Sequence, residues 1–413
     1  MDLRKGEHVR ALTESLVQAS LDGSQVSVEL IVGTREEVGE GISDEDDEET
    51  GDEVEVEIIA YPAFDMHLHS GPFGGLEGDR KATDWLIKHL QSLGVKDCAL
   101  CGIGQRIENS PIVYYGDCGV KDNIVPSLCN DFRNAWFKST MSDEKAKERV
   151  HVCLTGFTMF KNAHMPGGIR YAYNAMCAEF GEPMISGFGE FNVIKQAITD
   201  KDSDNMKGLH QCDGKSKEML HMFYENFKEL LDIQYEHTAV TKKLAPLLMH
   251  CDMGYRESPQ AYLPKIKDLL KKIDDTMKNG KNVLVWLHFG GICPEMAEGE
   301  DKLPEETAKN NMKRHVDELR LLAVKYPWLH FGMAWERIYG PCLLGATQNE
   351  EFMTDFIEEF SCRLHIGSDY VSDGGKNLQE DYNRAISAPM RAFNLPENIT
   401  SGKNTKQIFG RIK

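Results

Sequence analysis

The chain of 413 residues has no apolar run approaching the roughly 20 residues that span a bilayer, so no membrane helix is expected. Its opening stretch, MDLRKGEHVRALTESL, mixes charges and holds no apolar core, which argues against a secretory signal. Positive charge is scarce: 47 Lys and Arg stand against 66 Asp and Glu, a formal net charge of −19. Binding along a nucleic-acid backbone needs basic patches, so nucleic acid is not an expected partner. The deficit is local. Between Glu36 and Glu57 there are 13 acidic residues and no Lys or Arg. Such a segment repels itself and is too poor in apolar groups to fold alone. Its SDEDDEE stretch lacks the Gly and closing Glu of an EF-hand loop and reads as a solvated loop. The 11 cysteines are scattered and odd in number, which fits reduced thiols of a cytoplasmic protein rather than a disulfide framework. Cys98 and Cys101 have a metal-type spacing, but they fall in an apolar run that reads as a strand. There an odd separation points the two thiols to opposite faces.

What is present is ordinary for a globular protein: 41% hydrophobic and 27% charged residues, in a chain long enough for one large barrel or two smaller domains. Residues 1–63 form a first region. A helix is expected near residues 6–19, and QVSVELIVG and VEVEIIAY alternate as strands do, making a small N-terminal β extension around the acidic loop. Residues 64–413 read differently. Eight short apolar runs, AFDMHLH, VKDCALCGIG, VHVCLTGF, MISGFGEFN, APLLMHCDMG, NVLVWLHFGG, WLHFGMAWERI and RLHIGSDYV, are separated by stretches of helical period such as LPKIKDLLKKIDDTMKNG. Strands buried on both faces alternating with helices predict an α/β fold, the (β/α)8 TIM barrel. Residues 105–148 and 159–182 are long for simple connections and are expected to lie over the barrel mouth.

In such a barrel the chemistry gathers at the carboxyl ends of the strands. Strand one ends in His67 and His69, strand four in Glu190, strand five in His250, strand six in His288 and strand eight in Asp369. Any one of these could be a hydrogen-bonded core residue. Six metal-capable side chains at equivalent heights on five strands make a joint pattern that suits a divalent cation. His365 shares the strand-eight parity of Asp369 and is a candidate to support it, whereas His151 opens strand three and is expected to be structural.

The set resembles the amidohydrolase superfamily of metal-dependent barrel hydrolases: His-x-His on strand one, a bridging Lys or Glu on strand four, His on strands five and six, and Asp on strand eight. Glu190 at the bridging place is similar to the branch that includes the TatD-type nucleases. LHFGG, RLHIGSDY and NTKQIFG resemble the amidohydrolase-2 group, which mixes hydrolases with non-oxidative decarboxylases. The likeness covers roughly residues 60–413. It implies that His67, His69 and Asp369 hold one ion, His250 and His288 a second, and Glu190 bridges them. The ion would be Zn²⁺, with Mn²⁺, Fe²⁺ and Co²⁺ as competitors. A divalent ion lowers the pKa of bound water to about 7. Asp369 would take and pass on the proton, and His288 would polarise the substrate oxygen if one ion is bound. The expected activity is metal-dependent hydrolysis of a C–N, ester or related bond in a small molecule. A mononuclear non-oxidative decarboxylase is the second reading and a TatD-like nuclease the third. Arg106, Arg170, Arg256 and Arg337 are candidates to clamp an anionic substrate group, with Trp335 as a pocket wall. A homo-oligomer is compatible with all of this.

Residues 36–53 are expected to be mobile and far from the metal, so deleting the tip of this loop should leave metal content and turnover of a small substrate unchanged. Metal analysis and an activity assay on the deleted chain check it; lost turnover with the metal retained would place the loop in the active site.

Overall fold

The computed structural model describes residues 61–69, 90, 92–102, 126–159, 161–194, 216–254, 259–277, 283–292, 304–334, 336–339, 344–371 and 378–410. All of these but Tyr61 belong to the unit Pro62–Lys413. The expected N-terminal β extension and its acidic loop lie outside the described residues.

The strands are β1 (Phe64–His69), β2 (Asp97–Cys101), β3 (Val150–Leu154), β4 (Ile185–Ile194), β5 (Leu247–Cys251), β6 (Leu284–Trp286), β7 (Leu329–Met333), β8 (Leu364–Ile366) and β9 (Tyr370–Val371). They form one sheet in the order β8-β7-β6-β5-β4-β3-β2-β1-β9, each pairing parallel to its neighbour. β8 and β9 are the two halves of an eighth strand. The first half pairs with β7 and the second with β1. Between them the Gly367 N–H donates to the Met333 carbonyl (3.1 Å) and the Asp369 N–H to the His67 carbonyl (2.7 Å). The fold is therefore a nearly closed (β/α)8 barrel, with helices α1 (Pro126–Thr140), α2 (Glu144–Glu148), α3 (Ile169–Phe180), α4 (Ser216–Thr241), α5 (Leu263–Thr276), α6 (Glu305–Lys325), α7 (Glu351–Glu359), α8 (Leu378–Ala392), α9 (Glu397–Thr400) and α10 (Lys403–Ile408) among the described residues.

Local sequence accounts for these elements. In α5, Leu263, Ile266, Leu269, Leu270 and Ile273 recur at helical spacing and are buried, and a proline opens the first turn. α6 begins with Glu305 and Glu306 and ends with Lys325, as the helix dipole favours, and Pro327 lies just beyond. β5 is buried along its whole length, as a strand covered on both faces must be. Much of the two long connections expected to be loops over the mouth is instead helix. Leu128, Phe132 and Ala135 give α1 a buried stripe, and Ile169, Ala172, Tyr173 and Met176 do the same for α3.

Inside the barrel, Met66, Ala99, Cys101, Cys153, Leu248, Val285 and Leu287 pack with Phe64, Ile408 and Phe409. The C-terminal helix thus closes the amino end of the barrel. The Phe64 ring lies 5.6 Å from Phe409 and 5.3 Å from His151, which places His151 in this floor, away from the strand carboxyl ends. Each of these buried Phe side chains stabilises the fold by about 1.5–3 kcal/mol.

The sixth strand departs from expectation. It stops at Trp286, and the chain then turns left-handed through His288 (φ 53°), Phe289 (φ 49°), Gly290 (φ 72°) and Gly291 (φ 78°). Left-handed backbone costs roughly 1–2 kcal/mol per non-glycine residue. The turn is held by hydrogen bonds: Ile292 N–H to the His288 carbonyl (2.9 Å), Met253 N–H to the Gly291 carbonyl (2.9 Å) and His315 Nε2 to the Phe289 carbonyl (2.8 Å). A Cβ on Gly291 would lie 1.9 Å from the Cys251 carbonyl oxygen. Gly291→Ala is therefore expected to lower stability by about 2 kcal/mol or more. Gly181→Ala, also at positive φ but with only Pro183 Cδ at 3.7 Å, should cost only the backbone part. Urea midpoints of the two variants make the comparison; equal shifts would show that the turn relaxes freely.

Candidate metal centre

His67 and His69 sit on β1, their rings 4.7 Å apart, and both are buried. Glu190 is buried in β4, His250 in β5, and His288 just past β6 in the left-handed turn. Asp369 lies in the break of the eighth strand at φ 52°. Two of these positions depend on strand irregularities. Asp65 and Leu68 of β1 face Cys98 and Leu100 of β2, so β1 carries one extra residue around His67. Phe188 and Phe191 of β4 face Leu247 and Met249 of β5, which places a second extra residue around Glu190. Gly189 (φ 113°) permits the latter, because a Cβ there would lie 2.2 Å from the Leu248 carbonyl oxygen.

The six side chains meet in two overlapping groups. His67, His69, Glu190 and Asp369 form one, and Glu190, His250 and His288 the other, each with its ligand-capable atoms within 4.8 Å of one another. In the first group His69 Nε2 lies 3.1 Å from Asp369 Oδ1 and 3.2 Å from Glu190 Oε2, and His67 Nε2 lies 3.5 Å from Glu190 Oε2. In the second, His250 Nδ1 lies 2.6 Å from Glu190 Oε1 and 2.8 Å from His288 Nε2. Glu190 thus gives one oxygen to each group.

Surrounding groups select the tautomers. His69 Nδ1 donates to the Gly102 carbonyl (2.7 Å), which can only accept. In the neutral ring this leaves the Nε2 lone pair aimed at two carboxylates. His250 Nε2 donates to Asp252 Oδ1 (3.0 Å), which leaves its Nδ1 lone pair aimed at Glu190 and His288. Neither ring nitrogen of the wholly buried His67 makes a hydrogen bond. Lone pairs facing carboxylates in a buried site need a positive charge between them, a proton or a metal ion. Two atoms sharing one tetrahedral zinc ion at 2.0–2.2 Å stand about 3.4 Å apart. The first group's separations and the orphaned His67 nitrogens fit a cation. The carboxylates also shift the imidazoles. Burial lowers the His69 pKa, but the hydrogen bonds and charges of Asp369 and Glu190 outweigh it and raise the pKa well above the ordinary value. Burial and the neighbouring His250 lower that of His288. Burial raises the Asp369 pKa, but the charges of His67 and His288 and the hydrogen bond from His69 leave it well below the usual carboxylate range.

A buried Asp65 pins this end of the barrel. It accepts from the His67 N–H (3.1 Å), the Ser368 N–H (2.9 Å) and hydroxyl (2.7 Å), and the Tyr382 hydroxyl (3.1 Å). Burial pushes its carboxyl up to about 6 despite these donors. Asp65 and Asp252 were not among the expected site residues. Each stands two residues from a histidine of the cluster, a spacing that strand alternation makes readable. Of the expected substrate groups, Arg106, Arg256 and Trp335 lie outside the described residues. Arg337 falls in a short 3-10 helix (Glu336–Tyr339), and its side chain is outside them too. Arg170 reaches Glu229 (2.5 Å) and Glu236 (2.6 Å), joining α3 to α4. His365 hydrogen-bonds His330 (2.9 Å) and Thr405 (3.1 Å) rather than Asp369, because the break after Ile366 interrupts the alternation.

No protein-family model and no curated protein matches the chain. Among solved structures, Agrobacterium tumefaciens ATU3138, crystallised in its apo form, aligns at 12% identity over 86% of this chain and 98% of its own, with a TM-score of 0.37. A beta-aspartyl dipeptidase from Fervidobacterium islandicum, in complex with a beta-Asp-Leu dipeptide, aligns at 13% identity over 81% of this chain and 75% of its own, also with a TM-score of 0.37. Likeness of that degree is too slight to carry either fold or chemistry, which rest on the geometry above. No described helix is long and apolar enough to cross a membrane.

Asp252→Ala frees His250 to change tautomer and is expected to weaken Zn²⁺ binding about 10–100-fold. Chelator competition measures it; an unchanged affinity would mean that His250 is oriented without Asp252.

Proposed function

We propose that the protein is a metal-dependent hydrolase of the amidohydrolase superfamily, cleaving a C–N, ester or related bond in a small molecule in a reducing, cytoplasmic setting. One observation carries this reading: six metal-capable side chains from five strands converge at the carboxyl end of the barrel, in two groups that share Glu190. His67, His69 and Asp369 would hold one ion, His250 and His288 a second, with Glu190 between them. Imidazole and carboxylate donors suit Zn²⁺, with Mn²⁺, Fe²⁺ and Co²⁺ as competitors. A divalent ion bound there supplies Lewis acidity and acidifies water near neutral pH.

The chain's own groups do the rest. Asp369 is the partly open member of the set: its side chain is 14% exposed, against 5% or less for the others. Its Oδ1 faces His67 and His69, while Oδ2 stands 4.0 Å from His288 Nδ1. In this reading Oδ2 would take a proton from attacking water and return it to the leaving group. If only one ion is bound, His288, whose pKa burial and His250 lower, would orient the substrate oxygen. The free thiols Cys98, Cys101, Cys153, Cys177, Cys251 and Cys362 agree with a reducing compartment.

The protein stripped with a chelator and titrated with Zn²⁺ is expected to bind one or two ions. A panel of small amides and esters should be hydrolysed by the loaded form alone. Decarboxylation of a small acid, with no hydrolysis anywhere in the panel, would overturn the hydrolase reading. Asp369→Asn should keep the fold and most of the metal yet lose about 10²–10⁴-fold in turnover; near-normal turnover would remove Asp369 from proton transfer.

A further inference from the structure

A buried carboxylate outside the metal-capable set occupies the second connection of the barrel. Asp131 lies in α1 and is fully buried. Its neighbours Leu128, Phe132 and Ala135 show that apolar groups suffice to pack this helix, so packing alone does not call for a carboxylate. Its oxygens collect donors from the end of one strand and pack against the end of another. Oδ2 accepts from the Thr155 N–H (2.8 Å) and the Gly156 N–H (2.6 Å), just past β3. Oδ1 accepts from the Thr155 hydroxyl (2.5 Å). Gly102, just past β2, stands against the same carboxylate.

Gly102 is the residue whose carbonyl accepts the His69 Nδ1 proton at 2.7 Å. That carbonyl is held by His69, while the Cα of the same residue abuts the Asp131 carboxylate. The fit is close. A Cβ on Gly102 would lie 2.4 Å from Thr155 Oγ1 and 2.5 Å from Asp131 Oδ1. Asp131 and Thr155 thus stand directly against the Gly102 Cα and fix where its carbonyl sits.

We propose that Asp131 is a positioning residue for the metal centre, holding the Gly102 carbonyl where it selects the Nδ1–H tautomer of His69 and aims Nε2 at Glu190 and Asp369. The proposal rests on the metal-centre reading above. Asp131 reaches that centre through the backbone of a neighbouring strand. This sets it apart from Asp252, which touches its histidine directly.

The test uses the full chain and Co²⁺ as the probe, read by chelator competition and by the visible absorption of the bound ion. Asp131→Asn keeps the shape but puts an amide N–H₂ where one oxygen accepted. It is expected to weaken Co²⁺ binding about 10–100-fold, in the range typical of outer-shell partners, and to alter the spectrum. In a His69→Ala background the same change should move the affinity less than about 2-fold, because the ring that Asp131 positions is gone. A role confined to fold stability predicts equal losses in both backgrounds, and that result overturns the proposal. Asp131→Ser serves as a second variant should the Asn protein fail to fold, and either folded variant with wild-type affinity and spectrum overturns it as well. Wild-type protein that takes up no Co²⁺ would defeat the metal-centre reading itself, and this proposal with it.

Discussion

The buried carboxylate of Glu190 is the contact on which the rest of the site depends. One oxygen faces His67 and His69, and the other faces His250. A carboxylate removed from water is costly unless positive charge compensates it. In their neutral form the imidazoles nearest to it turn lone pairs rather than protons toward it, because Gly102 and Asp252 take their N–H groups on the far side. Such an arrangement needs a positive charge among these atoms, which a proton or a metal ion can supply. That requirement makes the cluster a candidate metal centre rather than a group of satisfied core histidines.

Reaching it requires departures from regular strand geometry, and they coincide with the ligands. β1 and β4 each carry an extra residue beside His67 and Glu190. His288 and Asp369 have left-handed backbone, which is disfavoured for any residue with a Cβ. Regular strands would send alternate side chains in and out at fixed heights. The bulges, the left-handed turn after β6 and the split eighth strand re-aim individual side chains so that atoms from five strands meet. Strain of this kind persists only where the surroundings over-determine it. Here the surroundings are the parallel barrel below, floored by Phe64, His151 and Phe409, and a set of hydrogen bonds: His315 to Phe289, Asp65 to Ser368, and Asp131 to the end of β3.

The polar groups around the cluster form a layer with its own logic. Gly102 and Asp252 select tautomers, Asp65 secures the chain next to Asp369, and Asp131 secures Gly102. Each is buried and each accepts hydrogen bonds. Acceptors in this layer orient imidazole N–H groups outward and leave nitrogen lone pairs inward, which suits cation binding and would not suit an anion site.

The fold class and the membership of the cluster were readable from sequence for a common reason. A parallel barrel brings every strand's carboxyl end to one rim, so metal-capable residues at the ends of apolar runs need no knowledge of distant contacts to be grouped. His67 and His69, Glu190, His250, His288 and Asp369 each close such a run. Features that depend on partners remote in sequence were not readable that way. Nothing in the text around Arg170 says that its fork meets Glu229 and Glu236 on another helix. The parity that linked His365 to Asp369 holds only for an unbroken strand, and this one breaks. Asp131 lies 62 positions from His69 in a stretch of helical period, and its bearing on that ring passes through a peptide group that no side-chain pattern reports. Residue type and strand period determined which groups could meet; backbone irregularity and long-range hydrogen bonding decided how they meet, because those are set by packing between segments far apart in the chain.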